Sequence, residues 1–132
     1  MSKIVIGIGL LFIAALVVTI AGCSKTTTVL LDNSPAITET VQFSKTIVPI
    51  LTKSCATSGC HSGSVAPNLT EANAYNSLLS GHYLNLSDPP SSEVYLWLTG
   101  KKSAAMPLGS ANNPSNINAL ILAWIKQGAK NN

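Results

Sequence analysis

Arginine is absent from this 132-residue chain, and charge is scarce: 8 lysines stand against 5 acidic residues, and charged residues make up 10%. Nucleic-acid binders usually show a basic face or stripe. A formal net charge of +3, spread along the chain, offers none. Aromatic residues are also few, at 5%. No alternating strand pattern, heptad series or internal repeat runs through the sequence, which argues against a sheet, a coiled coil or a solenoid. No carboxylate pair, Ser-His-Asp set or phosphate-cradling glycine loop is visible, which argues against an enzyme working without a cofactor. The length suits one small domain and excludes a large catalytic scaffold.

The long hydrophobic run lies at the amino end. Lys3 precedes an uncharged stretch from Ile4 to Ala21, the pattern of a secretory leader, and it inflates the mean hydropathy of the whole chain. Ile20-Ala21-Gly22-Cys23 resembles the lipobox of bacterial lipoproteins: an apolar residue, two small ones, then Cys. That resemblance implies a signal peptide over residues 1–22 and an acylated Cys23 at the new amino end. The small residues let a peptidase reach the backbone, and the Cys23 thiolate accepts the lipid. Two or more acyl chains hold firmly, because each buried methylene contributes about 0.8 kcal/mol. The alternatives are an uncleaved membrane helix, since about 18 residues suffice to span, and ordinary secretion. All three place the remainder outside the cytoplasm. In the lipoprotein reading, Ser24 after Cys23 favours the outer over the inner membrane. Residues 23–40, with Thr26-Thr27-Thr28, Asn33, Ser34 and Pro35, read as lipidated Cys plus tether, and residues 41–132 as the folded domain.

Three cysteines are an odd number for an exported protein. Setting Cys23 aside leaves a pair in Cys55-Ala56-Thr57-Ser58-Gly59-Cys60-His61, a Cys-x4-Cys-His segment. Three readings compete. A disulfide suits an oxidising compartment, but so short a loop stabilises little and leaves His61 idle. A metal site would use Cys55, Cys60 and His61, with Met106 or His82 as a fourth ligand. Structural zinc normally takes two clean ligand pairs, whereas soft sulfur and imidazole suit copper. The third reading is covalent haem, for which Cys-x-x-Cys-His is the usual attachment signal. The loop here is two residues longer.

The periodicity of the domain is helical. Phe43, Ile47, Ile50 and Leu51 share a face of a helix over about 45–54, provided Pro49 lies in or just after its first turn. Thr70 is a fitting N-cap for a second helix over about 71–80, with Ala72, Tyr75, Leu78 and Leu79 on one side and Gly81 as its stop. Ser91 or Ser92 caps a third over about 92–99, with Glu93 in the first turn and Gly100 closing it. A loop carrying Met106-Pro107 leads to the last helix, from Asn113 to Ser115 up to near Gly128. There Ile117, Leu120, Ile121, Trp124 and Ile125 make the clearest helical stripe in the chain. Four short helices in so small a domain are marginal without a staple or a cofactor. A covalently held haem would supply a large apolar core.

From about Val41 onward the chain resembles small monohaem c-type cytochrome domains of bacteria. The pieces that carry the resemblance are Phe43, Ile47-Val48-Pro49-Ile50-Leu51, Cys55 to His61, Ser92 to Gly100, Met106-Pro107 and Ile121 to Ala129, in family order. The x4 spacing departs from the usual motif. The resemblance implies an all-α, cytochrome c-like fold of about four short helices around one covalently attached haem c. The first and last helices would cross, Cys55 and Cys60 would hold the haem, and His61 and Met106 would be its axial ligands. His82, just past a helix end, is the rival to Met106. Met/His ligation raises the iron potential. Trp97 and Trp124 read as core or haem-wall residues, and Lys101-Lys102 as a solvated pair or a small positive rim for a redox partner.

The implied activity is that of a one-electron carrier rather than an enzyme: a monomeric, lipid-anchored cytochrome facing the periplasm and exchanging electrons with partner proteins. Two filled axial positions leave no open site for oxygen or peroxide chemistry. The alternatives are a haem-based gas or redox sensor, in which a small ligand displaces Met106, and a cofactor-free binding lipoprotein with a Cys55–Cys60 disulfide.

Overall fold

A computed structural model describes residues 36–103, 105–108 and 115–132. The expected leader, Cys23, most of the expected tether, and Asn113 and Pro114 lie outside them. Among the described residues the architecture is all-α, with no strand. A π-helical turn, Phe43–Ile47, runs into helix α1, Val48–Ser54. Then follow α2, Ala74–Ser80, a 3₁₀ turn, Pro89–Ser91, α3, Glu93–Leu98, and α4, Ser115–Lys126.

Pro49 explains the break in the first helix. Its missing N–H and its ring are tolerated only in a first turn, and it occupies the first turn of α1. The preceding turn widens, with Ile47 N–H donating to Gln42 O at 3.3 Å and Val48 N–H to Phe43 O. The α-helical part therefore begins at Val48, not near residue 45.

Helix α2 also starts later than the sequence pattern suggests, at Ala74 rather than 71. Asn68, Thr70 and Asn73 hydrogen-bond among themselves: Thr70 Oγ1 donates to Asn68 Oδ1 at 2.7 Å, and Asn73 Nδ2 donates to Thr70 Oγ1 at 3.0 Å. Such side-chain bonds compete with helix formation. The buried face is thus Ala74 and Leu78, while Ala72 and Leu79 are exposed. Gly81 does end α2, but the left-handed residue there is His82, at φ 57°. A Cβ at Gly81 would strike the Tyr83 ring and the Ser77 carbonyl, so glycine is required for space.

Helices α3 and α4 end as their glycines suggest. Gly100 and Gly128 take φ of 71° and 92°. Lys101 N–H donates to Leu96 O and Gly100 N–H to Trp97 O; Ala129 N–H donates to Trp124 O and Gly128 N–H to Ile125 O. Both are Schellman closures.

The core lies where α4 packs on the π turn and on α3. Phe43, Ile47 and Leu51 meet Ile121, Trp124 and Ile125, with Leu69, Ala74, Leu78 and Leu98 completing the cluster. Phe43 sits between two rings, 5.0 Å from Trp124 and 5.3 Å from Tyr75. Ile117 and Leu120 are half-buried at its margin.

Candidate haem-attachment site

Helix α1 delivers the Cys55 loop. Its last turn closes with Cys55 N–H donating to Leu51 O at 2.9 Å and Ala56 N–H to the same oxygen at 2.8 Å. The chain then folds back on itself. Cys60 N–H donates to Thr57 O at 3.0 Å, and His61 N–H donates to Cys55 O at 3.1 Å. Gly59, at φ 79°, makes the sharp turn between them. Buried Leu69 anchors the far side, donating its N–H to His61 O at 2.8 Å.

The loop brings the two cysteines together. Both thiols are free, Cys55 half-buried and Cys60 exposed. Burial pushes the Cys55 thiol pKa up, and the neighbouring Cys60 charge adds to that rise. At neutral pH Cys55 is therefore held as the neutral thiol.

His61 is oriented by a residue with no sequence signature. Its Nδ1 lies 3.1 Å from Pro67 O. A carbonyl oxygen only accepts, so Nδ1 carries the proton and donates. Nε2 is then the basic nitrogen, with its lone pair in the ring plane. Metal-binding histidines characteristically donate their other ring N–H in this way.

Met106 stands on the loop after α3. Its N–H donates to Trp97 O at 3.1 Å, and its side chain is half-buried against the same apolar cluster that Cys55 and Ala56 pack on. His82, the rival ligand, is exposed at the end of α2. Trp124 is core at 1% exposure. Trp97 is half-buried, and its indole donates to Glu93 Oε1 at 2.9 Å. Lys102 is paired with Glu93, at 2.9 Å, so Lys101-Lys102 is not a bare positive rim.

Among the described residues, no three His, Cys, Asp or Glu side chains converge as a metal-ion ligand set, and no helix is long and apolar enough to cross a membrane. Pro67 and Glu93 were not legible from sequence as site residues, and Trp97 reads there as a core or haem-wall residue rather than as a partner of the Met106 loop. A carbonyl acceptor is common to every residue type, and Glu93 reads there only as a helix-dipole partner. Compared with known proteins, the chain matches no family model, no curated protein and no solved structure.

Proposed function

We propose that this chain is a lipid-anchored monohaem c-type cytochrome that carries single electrons at the periplasmic face of a membrane. The observation that carries the reading is the Nδ1 bond of His61 to Pro67 O, one residue after a pair of free, adjacent thiols. A structural disulfide would need no oriented imidazole. An axial ligand needs one, because only a fixed Nδ1–H leaves Nε2 as the donor atom.

The donor chemistry fits haem c. Cys55 and Cys60 would hold it as thioethers, His61 Nε2 would be one axial ligand and the Met106 thioether the other. When bound, the haem iron supplies a one-electron ferric/ferrous couple. The protein's part would be to tether, orient and exclude water; Cys55, Ala56 and Met106 are partly buried apolar residues packed against the same core cluster, which supports that role. Partners are redox proteins, and the domain acts as a monomer.

Mass spectrometry of the full chain purified from its own host tests this. The peptide holding Cys55, Cys60 and His61 is expected to carry one haem with both thiols consumed, and the amino-terminal peptide to carry lipid on Cys23. A haem-free peptide two hydrogens lighter would overturn the reading in favour of a disulfide-stapled binding lipoprotein.

A further inference from the structure

Helix α3 has only six residues, Glu93–Leu98, too few to persist by helical bonding alone. Its last turn nevertheless carries the Met106 loop. Trp97 O accepts two bonds, from Gly100 N–H at 3.2 Å and from Met106 N–H at 3.1 Å. One ends the helix and the other pins the methionine's backbone to it. Gly100, at φ 71°, turns the chain back, and a Cβ there would sit 3.4 Å from the Ala105 Cβ, in van der Waals contact. Any tilt of the Trp97 peptide therefore moves Met106.

Glu93 restrains the Trp97 side chain. The indole Nε1–H donates to Glu93 Oε1 at 2.9 Å, one helical turn back. The second carboxylate oxygen accepts from Lys102 Nζ at 2.9 Å, a residue of the same Met106 loop. One side chain thus grips the helix that holds the loop and the loop itself. The Lys102 pair is about as exposed as many surface ion pairs, with side-chain exposures of 42% and 34%, and such pairs contribute little. The indole bond also ends on the charged carboxylate, and it ties Glu93 to the residue whose carbonyl holds Met106.

We propose that Glu93 and Trp97 are positioning residues for Met106, setting through their side-chain bond how firmly the methionine is held at its place in the site. The proposal deepens the haem reading and, as a statement about a ligand, rests on it. The backbone restraint on Met106 does not, so the two can fail separately.

The test uses the full chain from its own host, as wild type and as the variants Trp97→Phe, Glu93→Ala, Glu93→Gln and Lys102→Ala. Amide hydrogen exchange is read at Met106 and Gly100, with Ile121–Ile125 as the fold control. Trp97→Phe keeps an aromatic ring but loses the donor. It and Glu93→Ala are expected to speed exchange at Met106 about 5- to 10-fold, the effect of losing roughly one hydrogen bond. Glu93→Gln keeps an acceptor and is expected to stay within about 2-fold, as is Lys102→Ala. In haem-loaded protein the first two variants are expected to lower the reduction potential and weaken the methionine–iron charge-transfer absorption, because methionine ligation raises the potential. Glu93→Gln is expected to retain both.

Unchanged Met106 exchange and potential in Trp97→Phe, with the fold control intact, would overturn the proposal. So would Glu93→Gln behaving like Glu93→Ala, which would make the charge pair the tie. A haem-free Cys55–His61 peptide would instead remove the haem reading, while Met106 exchange would still report on the positioning pair.

Discussion

The two ends of the first helix are held by different means. At the Phe43 end, bonds come from the far end of the chain. Gln127 Oε1 accepts from Val41 N–H at 2.8 Å, and its Nε2 donates to Glu39 O at 2.9 Å. Asn132 Oδ1 accepts from Phe43 N–H, and Asn132 O from Ser44 N–H, both at 2.8 Å. The first N–H groups of a helix have no partner within it, and here the carboxyl-terminal residues supply one. Beneath them Phe43 and Trp124 pack against each other in the core, their ring planes tilted by 32°. At the Cys55 end, the bonds run between residues close in sequence, and Thr57 to Cys60 are exposed.

The contrast separates frame from site. The frame closes on side chains and backbone groups more than 80 residues apart, so it forms only with the whole domain. The loop is shaped by its own turns, with Leu69 as its anchor in the core. Donor groups on such a loop are ordered locally while staying near the surface, which suits a site completed by a bound group.

Substitution at Trp124 should strain this contrast most. Trp124→Ala removes a fully buried ring and is expected to cost about 3–5 kcal/mol in urea unfolding. Leu108→Ala on the Met106 loop, at 67% exposure, is expected to stay within about 0.5 kcal/mol. Equal costs at the two positions would erase the distinction between frame and site.

Gln127→Ala offers a finer cut. It leaves Val41 N–H and Glu39 O without partners and is expected to cost about 1–2 kcal/mol. Amide exchange should quicken at Val41 while the amides of His61 and Leu69 stay as slow as in the wild type. Faster exchange at those two would mean that frame and loop are one cooperative unit.

Acid provides the smallest effect. The Lys102 hydrogen bond holds the Glu93 carboxyl below its ordinary range, burial opposes this, and the Trp97 bond adds to it. The folded pKa is then below the unfolded one, so the unfolded chain binds the proton more readily. The stabilisation is present above about pH 4.3 and fades as pH falls through the folded value. Exposure of the pair limits it to a fraction of a kcal/mol. The unfolding midpoints of wild type and Glu93→Gln should therefore converge on acidification. A gap that widens toward low pH would reverse the sign.

Much of the helical plan was legible. The stripe from Ile117 to Ile125 marked α4, and Ile121, Trp124 and Ile125 are its deepest residues. Gly100 and Gly128 marked two helix ends because only a left-handed residue completes those closures. Ser92 was legible as the N-cap position of α3, but its hydroxyl accepts from Asn85 N–H at 2.9 Å instead of capping. The start of α2 was not legible, since Thr70 reads equally well as a helix cap and as a member of a local hydrogen-bonded turn. Of the candidate site, the thiols and the imidazole were legible by chemistry and spacing, and their orientation was not.

Local patterning alone determined the all-α class, the glycine stops, the first-turn place of Pro49 and which sulfur and imidazole groups are candidate donors. Each of these depends on residue type at short range: side-chain period, φ freedom, a missing N–H, a soft ligand atom. The tertiary structure decided that Pro67 O orients His61, that Gln127 and Asn132 close the Phe43 end, and that Trp97 O holds Met106. Pro67 O and Trp97 O are backbone groups, which every residue carries alike, and the Gln127 and Asn132 side chains reach residues more than 80 positions away, so only the folded path of the chain selects which of them meet.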